Sequence, residues 1–110
     1  MKSMNKVQLV GYLGKDPIIK HNENGSDRAI LRLATDRFYT PKQGAVKKFT
    51  EWHTVVVWGQ SQVEKLRNYI IKGSHVLVDG TLHYSRYSDI TGQIRYITEI
   101  HADYLVDLDR

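Results

Sequence analysis

Thr50-Glu51-Trp52-His53-Thr54-Val55-Val56-Val57-Trp58 is rich in β-branched residues and carries two tryptophans six positions apart, just after a lysine-rich stretch. Side chains on an extended strand alternate between faces. Trp52, Thr54, Val56 and Trp58 therefore share one face, and His53, Val55 and Val57 take the other. Two indoles on one sheet face, beside Arg37, Lys42, Lys47 and Lys48, have the chemistry to stack bases while cations hold phosphates.

Working outward, Thr40 to Lys48 contains Pro41 and Gly44 and no apolar periodicity, which predicts an exposed hairpin loop. Before it, Ala29 to Thr35 alternates as a strand whose exit carries Arg37, Phe38 and Tyr39. Asn22-Glu23-Asn24-Gly25-Ser26 predicts a turn. Met4 to Leu13 predicts a first strand, broken by Gly14-Lys15-Asp16-Pro17. After Gly59 the period changes. Ser61 and Glu64 have capping-box spacing, and Val63, Leu66 and Ile70 form an i, i+3, i+7 stripe that runs out at Lys72-Gly73, so one short helix is expected with Ser61 as its cap. His75 to Tyr87 returns to strand chemistry, with Gly80 marking a bulge or bend. Asp89-Ile90-Thr91-Gly92 predicts a hairpin turn and Arg95 to Leu105 the last strand.

Three strands, one helix and two strands, with a single crossover candidate, exclude a parallel α/β sheet. The order fits an all-β OB-fold: a five-stranded Greek-key barrel with the helix between strands three and four. Length supports one domain over residues 1–110, since 110 residues and 12.7 kDa suffice for a single core.

The chain has no cysteine, which excludes disulfides and thiolate metal sites and suits a reducing cytoplasm. No apolar run approaches the roughly 18 residues that span a bilayer, and the N-terminus lacks a signal-peptide core. A soluble, cytoplasmic protein is expected, with no membrane partner. Net charge is +4, and Arg37 to Lys48 holds four cations and no acid. Such a surplus favours polyanions without specifying one.

Catalysis finds little support. His21, His53, His75, His83 and His101 lie far apart, with no i, i+4 pair, and His53 is expected to be a half-buried, hydrogen-bonded residue at the barrel interior or rim. Gly59-Gln60-Ser61-Gln62-Val63 lacks the second glycine of a nucleophile elbow. Lys72-Gly73-Ser74 lacks the glycine run of a phosphate loop. No enzyme activity, cofactor or metal is expected. Stacking is the alternative: Tyr39, Trp52, Trp58 and Tyr87 are the candidate platforms, each where a strand meets a basic or polar loop. Lys6, Lys15, Arg32, Arg37, Lys42, Lys47, Lys48, Arg86 and Arg95 are the candidate phosphate contacts. The helix, apolar on its face, is a poor duplex-reading element.

Several motifs in order resemble the bacterial single-stranded DNA-binding (SSB) family: Asn5-Lys6-Val7 with Leu9-Val10-Gly11 and Leu13-Gly14-Lys15-Asp16-Pro17, then Leu33-Ala34-Thr35, Thr50-Glu51-Trp52-His53, Lys72-Gly73-Ser74, Val78-Asp79-Gly80-Thr81-Leu82, and Gly92-Gln93 with Arg95-Tyr96. The resemblance implies sequence-nonspecific binding of single-stranded DNA in replication, recombination and repair, a nucleoid-associated location, and a homotetramer around which DNA wraps. It places Trp52 at a stacking tryptophan, Tyr39 and Tyr87 where the family often has tryptophan, and Trp58 where it often has phenylalanine. The family's flexible linker and acidic tip, which dock replication and repair proteins, have no counterpart before Arg110, so a DNA-binding domain without that tail is expected. A tailless primosome or assembly adaptor and an RNA-binding OB module are the alternatives.

Overall fold

The computed structural model describes residues 2–24 and 26–110. In chain order the elements are β1 (Val7–Leu13), β2 (Ile18–Lys20), β3 (Arg28–Tyr39), β4 (Lys47–Trp58), α1 (Gln60–Arg67), β5 (His75–Ser88) and β6 (Ile94–Asp107). Neighbouring strands run β1-β5-β6-β4-β3-β2, and β1 also pairs with β3 through Tyr12↔Ala34 and Leu13↔Leu33. That last pairing closes β1, β5, β6, β4 and β3 into a five-stranded barrel. Every pairing is antiparallel except β4 with β6. The expected OB-like architecture is therefore present, with the helix between the third and fourth of the long strands.

Inward-facing Leu31, Leu33, Val55, Val57, Val76, Val78 and Ile100 fill the barrel, and Val63, Leu66 and Ile70 close the end beyond Trp58. Each such side chain, fully buried, contributes roughly 1.5–3 kcal/mol of apolar transfer. The turn residue Gly25 lies outside the described residues.

Four local expectations are corrected. The three-residue β2, pairing Ile18–Lys20 with Arg28–Ile30, was hidden because three residues are too few to show a period. The first strand begins at Val7, since Asn5 instead clasps the backbone N–H and carbonyl of Leu82 at 2.8 Å each. Ser61 is not the helix cap: Gly59 holds that place, its N–H donating to the carbonyl of Asp27 at 2.9 Å, and Ser61 falls inside the first turn. Regular helix stops at Arg67, and Ile70 reaches the core from the turns that follow.

Gly80 does mark a bulge. Asp79 pairs with Tyr104 and Gly80 with Ala102, so Asp103 on β6 is the extra residue. A Cβ on Gly80 would stand 2.2 Å from the carbonyl oxygen of His101, closer than any side chain allows.

Two hairpins outgrow the barrel. The β3–β4 ladder continues to Tyr39↔Lys47, so Lys47 and Lys48 belong to strand rather than loop, and β5–β6 continues to Ser88↔Ile94. β4 and β6 meet only over Thr54–Val56 and Glu99–His101. Because that contact is parallel, both arms leave the same end of the barrel, opposite the helix. Their reach raises the radius of gyration to 16.2 Å, against about 13 Å for a compact chain of this length.

Candidate nucleic-acid interface

Register builds one continuous outer face. Trp52, Thr54, Val56 and Trp58 lie beside Ala34, Arg32, Ile30 and Arg28 of β3 on one flank, and Thr54 and Val56 lie beside Glu99 and His101 of β6 on the other. At about 3.3 Å per residue the two indoles are roughly 20 Å apart along the strand. Thr54 and Val56 between them are buried, while Trp52 remains 50% and Trp58 41% exposed. Both indoles keep about two-fifths or more of their surface open, which displays them where the residues between them are enclosed.

Each indole is held from one side. Trp52 rests on the turn after β1, where a Cβ on Gly14 would come within 2.3 Å of its ring, so only glycine lets the indole settle there. The Gly14 N–H donates to the carbonyl of Arg32 at 3.0 Å, and Arg32 donates to the Thr54 hydroxyl at 2.7 Å. Trp58 lies 5.5 Å from the Arg28 guanidinium, a cation–π distance, and its Nε1–H donates to His101 Nδ1 at 3.3 Å. His101 Nε2 in turn donates to Glu99 Oε1 at 3.1 Å. Where β4 and β6 part, Arg32, Trp52, Thr54, Tyr96 and Ile97 line a cleft between the two arms.

Tyr39 and Tyr87, 42% and 54% exposed, sit on the arms. Tyr87 pairs with Arg95 on the outer face. Tyr39 does not share the face of Trp52: Ala34 faces Trp52, five residues before Tyr39, so Tyr39 falls on the other side of the β3–β4 ribbon. It lies there 6.2 Å from Phe49, which also has the Arg37 guanidinium 5.6 Å above its ring. The four platforms are thus two indoles on the barrel's outer face and two phenols on the arms, one of them turned to the opposite side.

The cations divide as well. Lys15, Arg37, Lys42, Lys47, Lys48 and Arg86 are exposed. Lys6 forms an ion pair with Asp79 at 2.8 Å, which raises its pKa and, with the Gln8 amide, depresses that of Asp79. Arg95 is bound to Asp89 at 3.0 Å; hydrogen bonds from Thr91 and Arg95 hold the Asp89 carboxyl below its usual range and tie the turn. His53 behaves as expected of a satisfied rim histidine. It bonds the Thr35 hydroxyl at 2.8 Å, and burial lowers its pKa, with Arg32 adding to the effect and Glu51 opposing it.

Sequence reasoning missed Phe49, Arg28 and the pair His83 and His101. Phe49 is identifiable only once the ladder is known to reach Tyr39. The two histidines are 18 residues apart in sequence and adjacent in space, their rings stacked at 3.8 Å with 9° between planes. Among the described residues no group of three or more His, Asp or Glu is placed to hold a metal ion. Among the described residues no helix is long and apolar enough to cross a membrane.

The model of the single-strand binding protein family matches residues 4–108 of the chain. A solved structure described as a Plasmodium falciparum SSB complex with ssDNA superposes with a TM-score of 0.86 at 36% identity, over 99% of this chain and 98% of that one.

Proposed function

We propose, on the premise that the chain belongs to the single-strand binding protein family, that it binds single-stranded DNA with little regard to sequence and shields it during replication, recombination and repair. The observation that carries this reading is the pair of half-exposed indoles on one outer barrel face, each backed by the protein on one side. Rings held this way offer a flat surface to any base. Stacking contributes roughly 1–3 kcal/mol per base, and it is sequence-tolerant because every base has a π-face.

Phosphates fall to the exposed cations Lys15, Arg37, Lys42, Lys47, Lys48 and Arg86, with Arg32 in the cleft beside Trp52. About five neutralised phosphates give a log–log salt slope near −3.5, a loss on the order of a hundredfold in affinity between 50 and 200 mM salt. Lys6 and Arg95 contribute little to that slope, since each already has a carboxylate partner. No step in this reading is catalytic, and none calls for a cofactor.

We also assign the chain to a homotetramer in the cytoplasm. The supporting observation is the outer face of β1, β5 and β6, where Val10, Tyr12, Tyr104 and Val106 stand exposed beside Leu77, away from the indoles. Further copies covering this patch would bury it and set several barrels within reach of one strand.

The test is fluorescence anisotropy of labelled oligo-dT, oligo-U and a duplex of the same length. Tight, salt-sensitive binding to oligo-dT with weak duplex binding is expected. Preference for oligo-U would favour the RNA module, and binding to none would favour the adaptor.

A further inference from the structure

His101 is gripped on both ring nitrogens, by Trp58 Nε1–H and by Glu99, and its face is covered by His83. His83 is exposed and bonds the Thr81 hydroxyl through Nε2 at 2.8 Å. Trp58, His101 and His83 therefore form a ladder of three rings, stepping diagonally from β4 across β6 to β5 and toward the arms. The Trp58 and His101 ring centroids are 6.1 Å apart. Buried histidines are usually held to satisfy their own polarity, but His83 ends the ladder exposed to solvent. A stacked, oriented and open aromatic plane continuous with a displayed indole is a surface for another flat ring.

We propose that this ladder is a nucleobase subsite of the single-strand groove, with His83 as its outer platform. The proposal rests on the single-strand reading above and deepens it by carrying the strand across β6 toward Tyr87, which lies on the same outer face of β5, four residues beyond His83.

The charged groups facing the ladder are Glu99 on β6, which accepts from both His101 and Ser85, and, on β3, Arg28 near Trp58 and Arg32 at Thr54. What the subsite needs at position 83 is a flat aromatic ring, so phenylalanine there should serve and alanine should not.

The test uses oligo-dT, with anisotropy at one pH and one salt concentration. Three proteins are compared: the wild type, His83→Ala and His83→Phe, each checked for folding by thermal melting. His83→Ala loses the platform and weakens binding about fivefold or more. His83→Phe keeps the plane and restores the wild-type affinity. Wild-type binding to oligo-dT with His83→Ala indistinguishable from it, or with His83→Phe as weak as His83→Ala, would overturn the subsite while leaving the single-strand reading intact. Failure of the wild type to bind oligo-dT at all would instead remove that reading and the subsite with it.

Discussion

The two halves of β4 share a strand, a β-branched and aromatic composition and a single partner ladder, yet they have opposite fates. Over Thr54–Val57 every residue is buried, because the barrel encloses one face and the side chains of β3 and β6 crowd the other. Over Lys47–Trp52 nearly every residue is exposed, because the strand has left β6 and only β3 accompanies it. A strand gains its burial from the sheet it joins, and a two-stranded arm has none to gain. One half of β4 stabilises the fold and the other half displays aromatic rings and cations.

The largest expected effect breaks the barrel side of that contrast. Leu31→Ala, opposite Val55 on the inner face of the barrel, should cost about 2–5 kcal/mol and lower Tm by on the order of 10 °C or more in a melting experiment. Binding to single strands should survive wherever the protein stays folded. Next comes the displayed side: Trp52→Ala should weaken oligo-dT binding by about 1–3 kcal/mol, read by anisotropy, with a far smaller change in Tm. Equal damage to Tm from both substitutions would erase the distinction between the halves.

Charge sharpens it further. Replacing Lys47 and Lys48 by glutamine should flatten the salt slope by about 1.4, whereas Lys6→Gln should leave it unchanged because Asp79 already holds that ammonium. A slope moved by Lys6 and not by the arm lysines would reverse the assignment. The smallest effect concerns His53, at the boundary of the two halves. Burial lowers its folded pKa, so the unfolded chain takes up the proton first as pH falls. Its stabilising contribution is complete above the ordinary histidine pKa of about 6.5 and declines as pH drops through and below that value. Melting between pH 7.5 and 5.5 should show a small downward drift in Tm that His53→Gln reduces.

Much of this was legible in the chain. The alternation around Trp52 placed Val55 and Val57 inside and both indoles outside, and Gly80 located the bulge even though β6 supplies the extra residue. Gly92 and Asp89 gave the turn of the second arm. What stayed hidden depended on neighbours in space. Alternation tells faces apart but not where a strand leaves its sheet, so Lys47 and Lys48 read as loop and Tyr39 was grouped with Trp52 although it faces the other way. Capping-box spacing favoured Ser61, but the chain's need to turn sharply out of β4 gave the place to Gly59. Lys6 and Arg95 counted as free cations until the register set Asp79 and Asp89 beside them. His83 and His101 looked scattered because strand pairing, not sequence, brings them together.

The most direct measurement is tryptophan fluorescence during titration with oligo-dT, made on Trp52→Phe and Trp58→Phe so that one indole reports at a time. Quenching of each remaining indole at the stoichiometry of binding is the predicted result. Binding seen by anisotropy with neither indole quenched would contradict the account, since the strand would then lie away from the face the barrel displays.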